Sequence, residues 1–355
     1  MTKIIIPTYN RSAKLDRTLR SYHSFGSGFV PDIVVLDGSD EEAHLRQNQK
    51  VCSYYPNLQY ISMPGTGFVP RILPYLEKIE GNTPVCLATD EDVFTPEYIR
   101  VATELLNTTP EYSMLLGRYF TFLRPIGPFH RISHHRSVVN NLDINQNEMK
   151  SRMGLLSTAL TLGCSPVYWG VRRVDQLIAS LKLQDKLKFY TSQELVDQIL
   201  LAHQGMIRIT DMPMLLRDET NIGYIIEEIR QDAINHIPSD EIDLLSRILV
   251  EEGGVELLEA SSVLIDRYLL DYVASGAPCL AVQSHLKAYT KYEPLQSGSK
   301  NLTYRLAYIV MKIAVVVTEL FTATREIRVL KSMYKDKSLN IFLQKIKSNQ
   351  IFKAK

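Results

Sequence analysis

Pro84-Val85-Cys86-Leu87-Ala88-Thr89-Asp90-Glu91-Asp92 is an apolar run that stops abruptly at three carboxylates. An uncharged segment bounded by proline and a polar cluster reads as a short buried strand, with the acids hanging from its carboxyl end. Outward from this point the same pattern recurs. Lys3–Ile6, Asp32–Leu36 and Leu58–Ser62 are further short apolar runs. The segments between them have helical character. Leu15, Leu19 and Tyr22 share one face behind a cap at Asn10 or Ser12, residues 40–50 are polar, and Arg71–Ile79 follows the Gly/Pro-punctuated stretch Pro64–Pro70. Strands alternating with helices predict an α/β fold, a mostly parallel sheet flanked by helices.

Ligands of such sheets bind outside the carboxyl ends of the strands. Three polar clusters fall there: Thr8-Tyr9-Asn10-Arg11, Asp37-Gly38-Ser39-Asp40 and Asp90-Glu91-Asp92. Adjacent carboxylates repel one another unless cations or donors offset them. A divalent ion shared with a phosphorylated ligand is one solution. An acidic cap on the helix that begins near Thr95-Pro96-Glu97 is the other. Dinucleotide and Walker-type readings fail, because Gly65-Thr66-Gly67-Phe68-Val69-Pro70 lacks a third glycine and no Walker sequence exists.

Taken in order, Ile4-Ile5-Ile6-Pro7-Thr8-Tyr9-Asn10-Arg11, Ile33-Val34-Val35-Leu36-Asp37-Gly38-Ser39 and Val85–Tyr98 resemble the family-2-type, sugar-nucleotide-dependent glycosyltransferases of GT-A fold, over roughly residues 3–210. The resemblance implies that Pro7, Thr8 and Tyr9 line the base pocket with Arg11 near the nucleotide. It places Asp37 at the nucleobase or ribose, Asp92 on a Mn²⁺ or Mg²⁺ ion, and Asp90 at the ribose or at the metal through water. Leu36 stands where the family has a first acid, and in the 65–71 segment only Gly67 and Arg71 are equivalents. Arg71 is either a phosphate ligand or a surface helix arginine.

The resemblance also implies a catalytic base on a helix. Glu194, with Gly205 eleven residues on, stands at that position, and Gln193 replaces the family's first acid. Asp197 shares its face at i+3. Trp169 either stacks on an acceptor sugar or packs in the core. Residues 118–152 carry arginines, His130, His134 and His135 among aromatics, and read as long surface loops. Pro125, Gly127 and Pro128 break the helix that a zinc pair at His130 and His134 needs, so this cluster suits an anionic acceptor or the donor diphosphate instead.

The implied activity is sugar transfer from a nucleoside-diphosphate sugar, uridine-based, to a hydroxyl of a glycan or lipid-linked acceptor, metal-dependent and inverting. The alternative is a non-catalytic relative that binds a sugar nucleotide or a partner protein. We expect the transferase domain over 1–235 and a helical C-terminal region over 236–355, with a break at Ser297-Gly298-Ser299.

The chain has 355 residues, with 40 basic against 39 acidic side chains, a balance that argues against nucleic-acid binding. That balance is uneven: residues 325–355 hold nine basic and two acidic residues. Residues 304–323 are apolar on most sides, which predicts burial within the helical region or against a second copy of the chain. Leu339, Phe342, Leu343 and Ile346 then form one face of a basic amphipathic tail suited to an anionic membrane surface. Met1–Ile6 is too short an apolar stretch for a signal-peptide core, and the 4 cysteines are widely spaced. Both point to reduced thiols in a cytoplasmic protein, peripheral to the membrane at most.

Overall fold

In the computed structural model, which describes residues 2–25, 32–123, 131–134, 142–145, 147–161, 169–218 and 239–275, the first half of the chain builds one sheet. Its strands are β1 (Lys3–Thr8), β2 (Asp32–Asp37), β3 (Leu58–Ser62), β4 (Pro84–Leu87) and β9 (Arg172–Arg173), in the order β3-β2-β1-β4-β9. All pair in parallel except β9, which runs antiparallel along β4. Side chains of a strand alternate between faces, and here the alternation divides two cores. Ile4 and Ile6, Ile33 and Val35, and Cys86 face one; Ile5, Val34 and Leu36, and Val85 and Leu87 face the other. With both faces covered, the strands read as continuous apolar runs, which is why the sequence announces them.

Helices α3 (Phe68–Leu76) and α6 (Val174–Gln184) close the second core. The first is larger. It is closed by α1 (Ser12–Ser24), α2 (Glu42–Ser53), α4 (Pro96–Thr108), α5 (Met149–Thr161), α7 (Tyr190–Gln204) and α8 (Ser239–Ser275). Pro7 is tolerated inside the central strand for a geometric reason. Ile5 O accepts from Ala88 N at 2.8 Å, so Pro7, two residues on, faces the same side just where β4 has ended at Leu87. No ladder bond is lost.

A second, mixed sheet carries the rest: β5 (Asp92–Phe94), β10 (Met206–Asp218), β6 (Tyr112–Leu123) and β7 (Arg131–His134) in that order, with β8 (Leu142–Ile144) also on β10. A bridge between Leu115 and Val171 ties it to the first sheet. Two expectations change here. The stretch read as surface loops contains the end of β6 together with β7 and β8; β6 and β8 pair with β10, distant in sequence, and β7 pairs with β6, so sheet pairing supplies the order that local composition hides. Asp92 begins β5 and does not cap a helix; the cap of α4 is Thr95, whose side chain accepts from Tyr98 N at 3.4 Å.

Helix α8 covers Ser239–Ser275, the described part of the C-terminal region. It kinks at Gly253 and at Gly254, whose φ of 72° lies in the left-handed region that glycine adopts without strain. Leu245, Leu249, Leu257 and Leu264 of α8 enter the same core as the sheet. The apolar segment 304–323, the break at 297–299 and the basic tail lie outside the described residues. Among the described residues no helix is long and apolar enough to cross a membrane. Cys52 and Cys86 are buried free thiols, and burial pushes Cys52 up to about 12, so both are unreactive.

Candidate active site

Parallel register lines up Thr8, Asp37 and Ser62 at the carboxyl edge of the first sheet. Beyond that edge the chain leaves β4 and passes through Asp90-Glu91-Asp92 into β5. Helix α1 fixes this passage with a stripe spaced by four residues. Lys14 Nζ pairs with Glu91, Thr18 Oγ1 donates to Asp90 O at 2.7 Å, and Tyr22 OH donates to Asp92 O at 3.3 Å while accepting from Phe94 N at 3.1 Å. The i, i+4, i+8 spacing of Lys14, Thr18 and Tyr22 is the sequence signal for it.

The three acids differ in environment. Asp90 accepts from Thr8 Oγ1 at 2.8 Å and from Arg11 Nη1 at 2.9 Å, yet burial still raises its pKa. Burial would raise Glu91 too, but Arg217 Nη2 at 3.1 Å and the Lys14 ammonium outweigh it, so its pKa is lowered. Asp92 Oδ2 accepts from Thr89 N at 3.1 Å and from Thr89 Oγ1 at 2.7 Å. Asp92 Oδ1 is buried with no hydrogen-bond partner, and burial raises the carboxyl pKa to about 6.

Arg217 was not singled out from sequence, and no local signal marks it. It stands across the β5–β10 pairing from Asp92. Its guanidinium carbon lies 4.4 Å from the centre of the Trp169 ring, a cation–π contact. Trp169 is largely buried, with its ring against the Arg217 guanidinium.

Asp37 is fully buried in a network of its own. Its Oδ1 accepts from Ser39 N at 2.9 Å, and its Oδ2 from Asn48 Nδ2 at 2.9 Å and Tyr60 OH at 2.8 Å. Arg71 lies beside it, buried and not on the surface, donating Nη1 to Thr8 O while desolvation lowers its pKa. Gly38 permits that approach, since a Cβ there would meet the Arg71 guanidinium and come within 2.9 Å of Thr66 O. Tyr9 is the exposed member, at 45%, and donates to Asp40 Oδ2 at 2.6 Å; Pro7 is buried in β1.

Glu194 sits on α7, 8% exposed. Asp197, three residues on, is drawn into a buried pair: Arg172 Nη1 donates to its Oδ1 at 2.5 Å and Ser180 Oγ donates to the same oxygen. The structure thus brings Thr8, Arg11, Asp90 and Asp92 together, and engages Asp197 between α6, α7 and β9. His134 closes β7 opposite Phe120 of β6.

The profile described as "Glycosyl transferase family 2" matches residues 3–175, which span β1 through the start of α6 and contain all three edge clusters. Residues 3–175 belong to this family. The α/β architecture, a mostly parallel sheet joined to a mixed one, is the GT-A fold. No curated protein matches the chain. Among solved structures, S. aureus TarS 1-349 in complex with UDP-GlcNAc shares 14% identity over 82% of this chain and 91% of that one, with a TM-score of 0.42. The mannosyltransferase PcManGT from Pyrobaculum calidifontis, in complex with GDP-Man and Mn2+, shares 12% identity over 97% of this chain and 86% of that one, with a TM-score of 0.43. Against the longer TarS structure the identity is 15% and the TM-score 0.40, and this chain covers 42% of its length.

GT-A enzymes of this family use a divalent ion, and the residues here admit one in a limited way. Among the described residues no group of three acidic, histidine or cysteine side chains converges to hold a metal unaided. Asp92 Oδ1, which accepts no hydrogen bond among the described residues, offers a single carboxylate oxygen, which fits a hard cation whose other ligands are diphosphate and water oxygens.

Proposed function

We propose that this glycosyltransferase moves a sugar from a nucleoside-diphosphate sugar, uridine-linked, to a hydroxyl of a glycan or lipid-linked acceptor, with inversion and with Mn²⁺ or Mg²⁺ as cofactor. The observation that carries the reading is the buried Asp92 Oδ1 at the carboxyl edge, which among the described residues accepts no hydrogen bond, two residues from Asp90, to which Thr8 and Arg11 donate. Leaving a carboxylate oxygen buried without a donor is costly unless a ligand completes it.

In this reading Pro7, Thr8, Tyr9 and Arg11 bind the nucleotide side of the donor, with Asp37 and Arg71 shaping the pocket behind them. Asp92 holds the ion and Asp90 supports it. A divalent ion in that position neutralises charge on the departing diphosphate. Glu194 accepts the acceptor hydroxyl's proton as its oxygen attacks the anomeric carbon and the bond to the diphosphate breaks. Trp169, Asp197 and His134 remain the acceptor-side proposal, with Asp197 acting from within its ion pair. The tail beyond residue 337 is proposed to hold the enzyme against an anionic membrane, where a lipid-linked acceptor resides.

A thermal-shift screen of nucleotide sugars with and without Mn²⁺ tests the reading, because a ligand at about 100 times its Kd stabilises the native state by about 2.7 kcal/mol. A shift with a uridine-linked donor that requires Mn²⁺, together with release of the nucleoside diphosphate, is the expected result. Binding without release would identify a non-catalytic sugar-nucleotide binder, and pyrophosphate release a nucleotidyltransferase.

A further inference from the structure

The cluster at Asp90–Asp92 is balanced by three cations: Arg11 on Asp90, Lys14 on Glu91, and Arg217 on both Glu91 and Asp92. Of the six carboxylate oxygens, only Asp92 Oδ1 lacks a hydrogen bond among the described residues. The group facing it is Arg217 Nε, at 3.7 Å, which is too long for a hydrogen bond and close enough for strong attraction in a buried site. Arg217 is also the more open member of its pairs, with 12% of its side chain exposed against 3% for Glu91 and 0% for Asp92.

We propose that Arg217 is the resting counter-ion of Asp92, and that it yields Oδ1 when a divalent cation binds there together with a nucleoside diphosphate. The inference rests on the reading above, that Asp92 ligates such a cation. Its geometry follows from which contacts can persist. The bond from Nη2 to Glu91 Oε1 at 3.1 Å and the stack over Trp169 hold Arg217 from two sides, whereas the 3.7 Å approach to Asp92 is the weak one. A small rotation of the guanidinium can give up that approach while keeping these two contacts.

The consequence is a coupling between the two ligands. A bare divalent cation at Oδ1 meets the positive charge of Arg217 a few ångströms away, and like charges so placed disfavour each other. A diphosphate arriving with the cation brings the negative charge that offsets both. Cation and diphosphate therefore bind with positive coupling, and Arg217 sets its size.

The test is Mn²⁺ binding followed by the spin-resonance signal of the free ion, first with Mn²⁺ alone and then with UDP added, for wild type, Arg217→Gln, Arg217→Lys and Asp92→Asn. Arg217→Met, which keeps an apolar stem against the Trp169 ring, replaces the Gln variant if that one fails to fold. Without nucleotide, the neutral variant should bind Mn²⁺ roughly tenfold more tightly than wild type, and Arg217→Lys should match wild type. UDP should tighten Mn²⁺ binding far more in wild type than in the neutral variant. Equal Mn²⁺ affinity in wild type and the neutral variant, with UDP helping both alike, would overturn the counter-ion role and leave the metal reading intact. Undiminished binding of Mn²⁺ with UDP by Asp92→Asn would remove Asp92 as the ligand, and the inference with it.

Discussion

Arg217 lies directly across the β5–β10 pairing from Asp92, its Nε 3.7 Å from the one oxygen of the acidic cluster that has no hydrogen bond. Opposed side chains on paired strands stand close enough to interact. Even so, this attraction does not offset the burial of Asp92, whose pKa is raised from 3.8 to about 6.

That shift has a sign. Between about pH 4 and pH 6 the folded chain holds a proton on Asp92 that the unfolded chain has released, so stability falls as pH rises through this window. Above it the penalty is complete. Asp92→Asn should therefore be more stable than wild type at pH 7.5, by the order of 1–3 kcal/mol, with the gain vanishing by about pH 4. Urea unfolding of both proteins across that range measures it. A variant less stable than wild type at every pH would show that the ion pair with Arg217 outweighs the burial.

Gly38 is held on both sides, its N–H on Thr8 O at 3.0 Å and its carbonyl accepting from Gly65 N at 3.0 Å. A methyl group there has nowhere to go, since Thr66 O belongs to the backbone and cannot rotate away. Gly38→Ala should cost about 1–3 kcal/mol, and it should weaken donor binding by displacing Arg71. Chemical denaturation and nucleotide titration of the same variant report the two effects separately.

The Arg172–Asp197 pair is buried on both sides. Asp197→Ala strands a buried guanidinium and should destabilise the protein by about 3–5 kcal/mol, whereas replacing both residues by apolar ones of similar volume should cost much less. A thermodynamic cycle over the pair decides this. If Asp197 instead acts on the acceptor, Asp197→Asn will raise the acceptor KM with little change in stability.

For Glu194 the expectation concerns the rate. Glu194→Gln keeps the shape and cannot accept the proton, so kcat should fall by about 10²–10⁴ with donor affinity unchanged. A near-normal kcat in this variant would move the base to another residue.

Particular residues show how far the sequence can be read. Ile4, Ile5 and Ile6 announce a strand because both faces of it are covered, and the same holds for Val34 and Val35 or Val85 and Cys86. The convergence of Thr8, Arg11, Asp90 and Asp92 follows from the rule that parallel strands end on one edge. Strands β6 and β8 are hidden because their order comes from long-range pairing to β10, and β7 is ordered in turn by pairing with β6. Arg71 looks like a surface or phosphate-binding arginine in sequence, and only the packing of Gly38 against it reveals a buried one. Arg217 is the clearest gap. It meets Glu91 across 126 residues of sequence, and nothing in its neighbourhood of β10 distinguishes it from any other strand arginine.

The most direct test of the proposed reaction is release of nucleoside diphosphate from uridine-linked sugars, assayed with Mn²⁺ and with excess chelator, for wild type and Asp92→Asn. Release by wild type that Mn²⁺ supports, chelator abolishes and the substitution lowers by about 10²-fold or more is the predicted result. Release that proceeds equally well in chelator, and equally in wild type and Asp92→Asn, would contradict it.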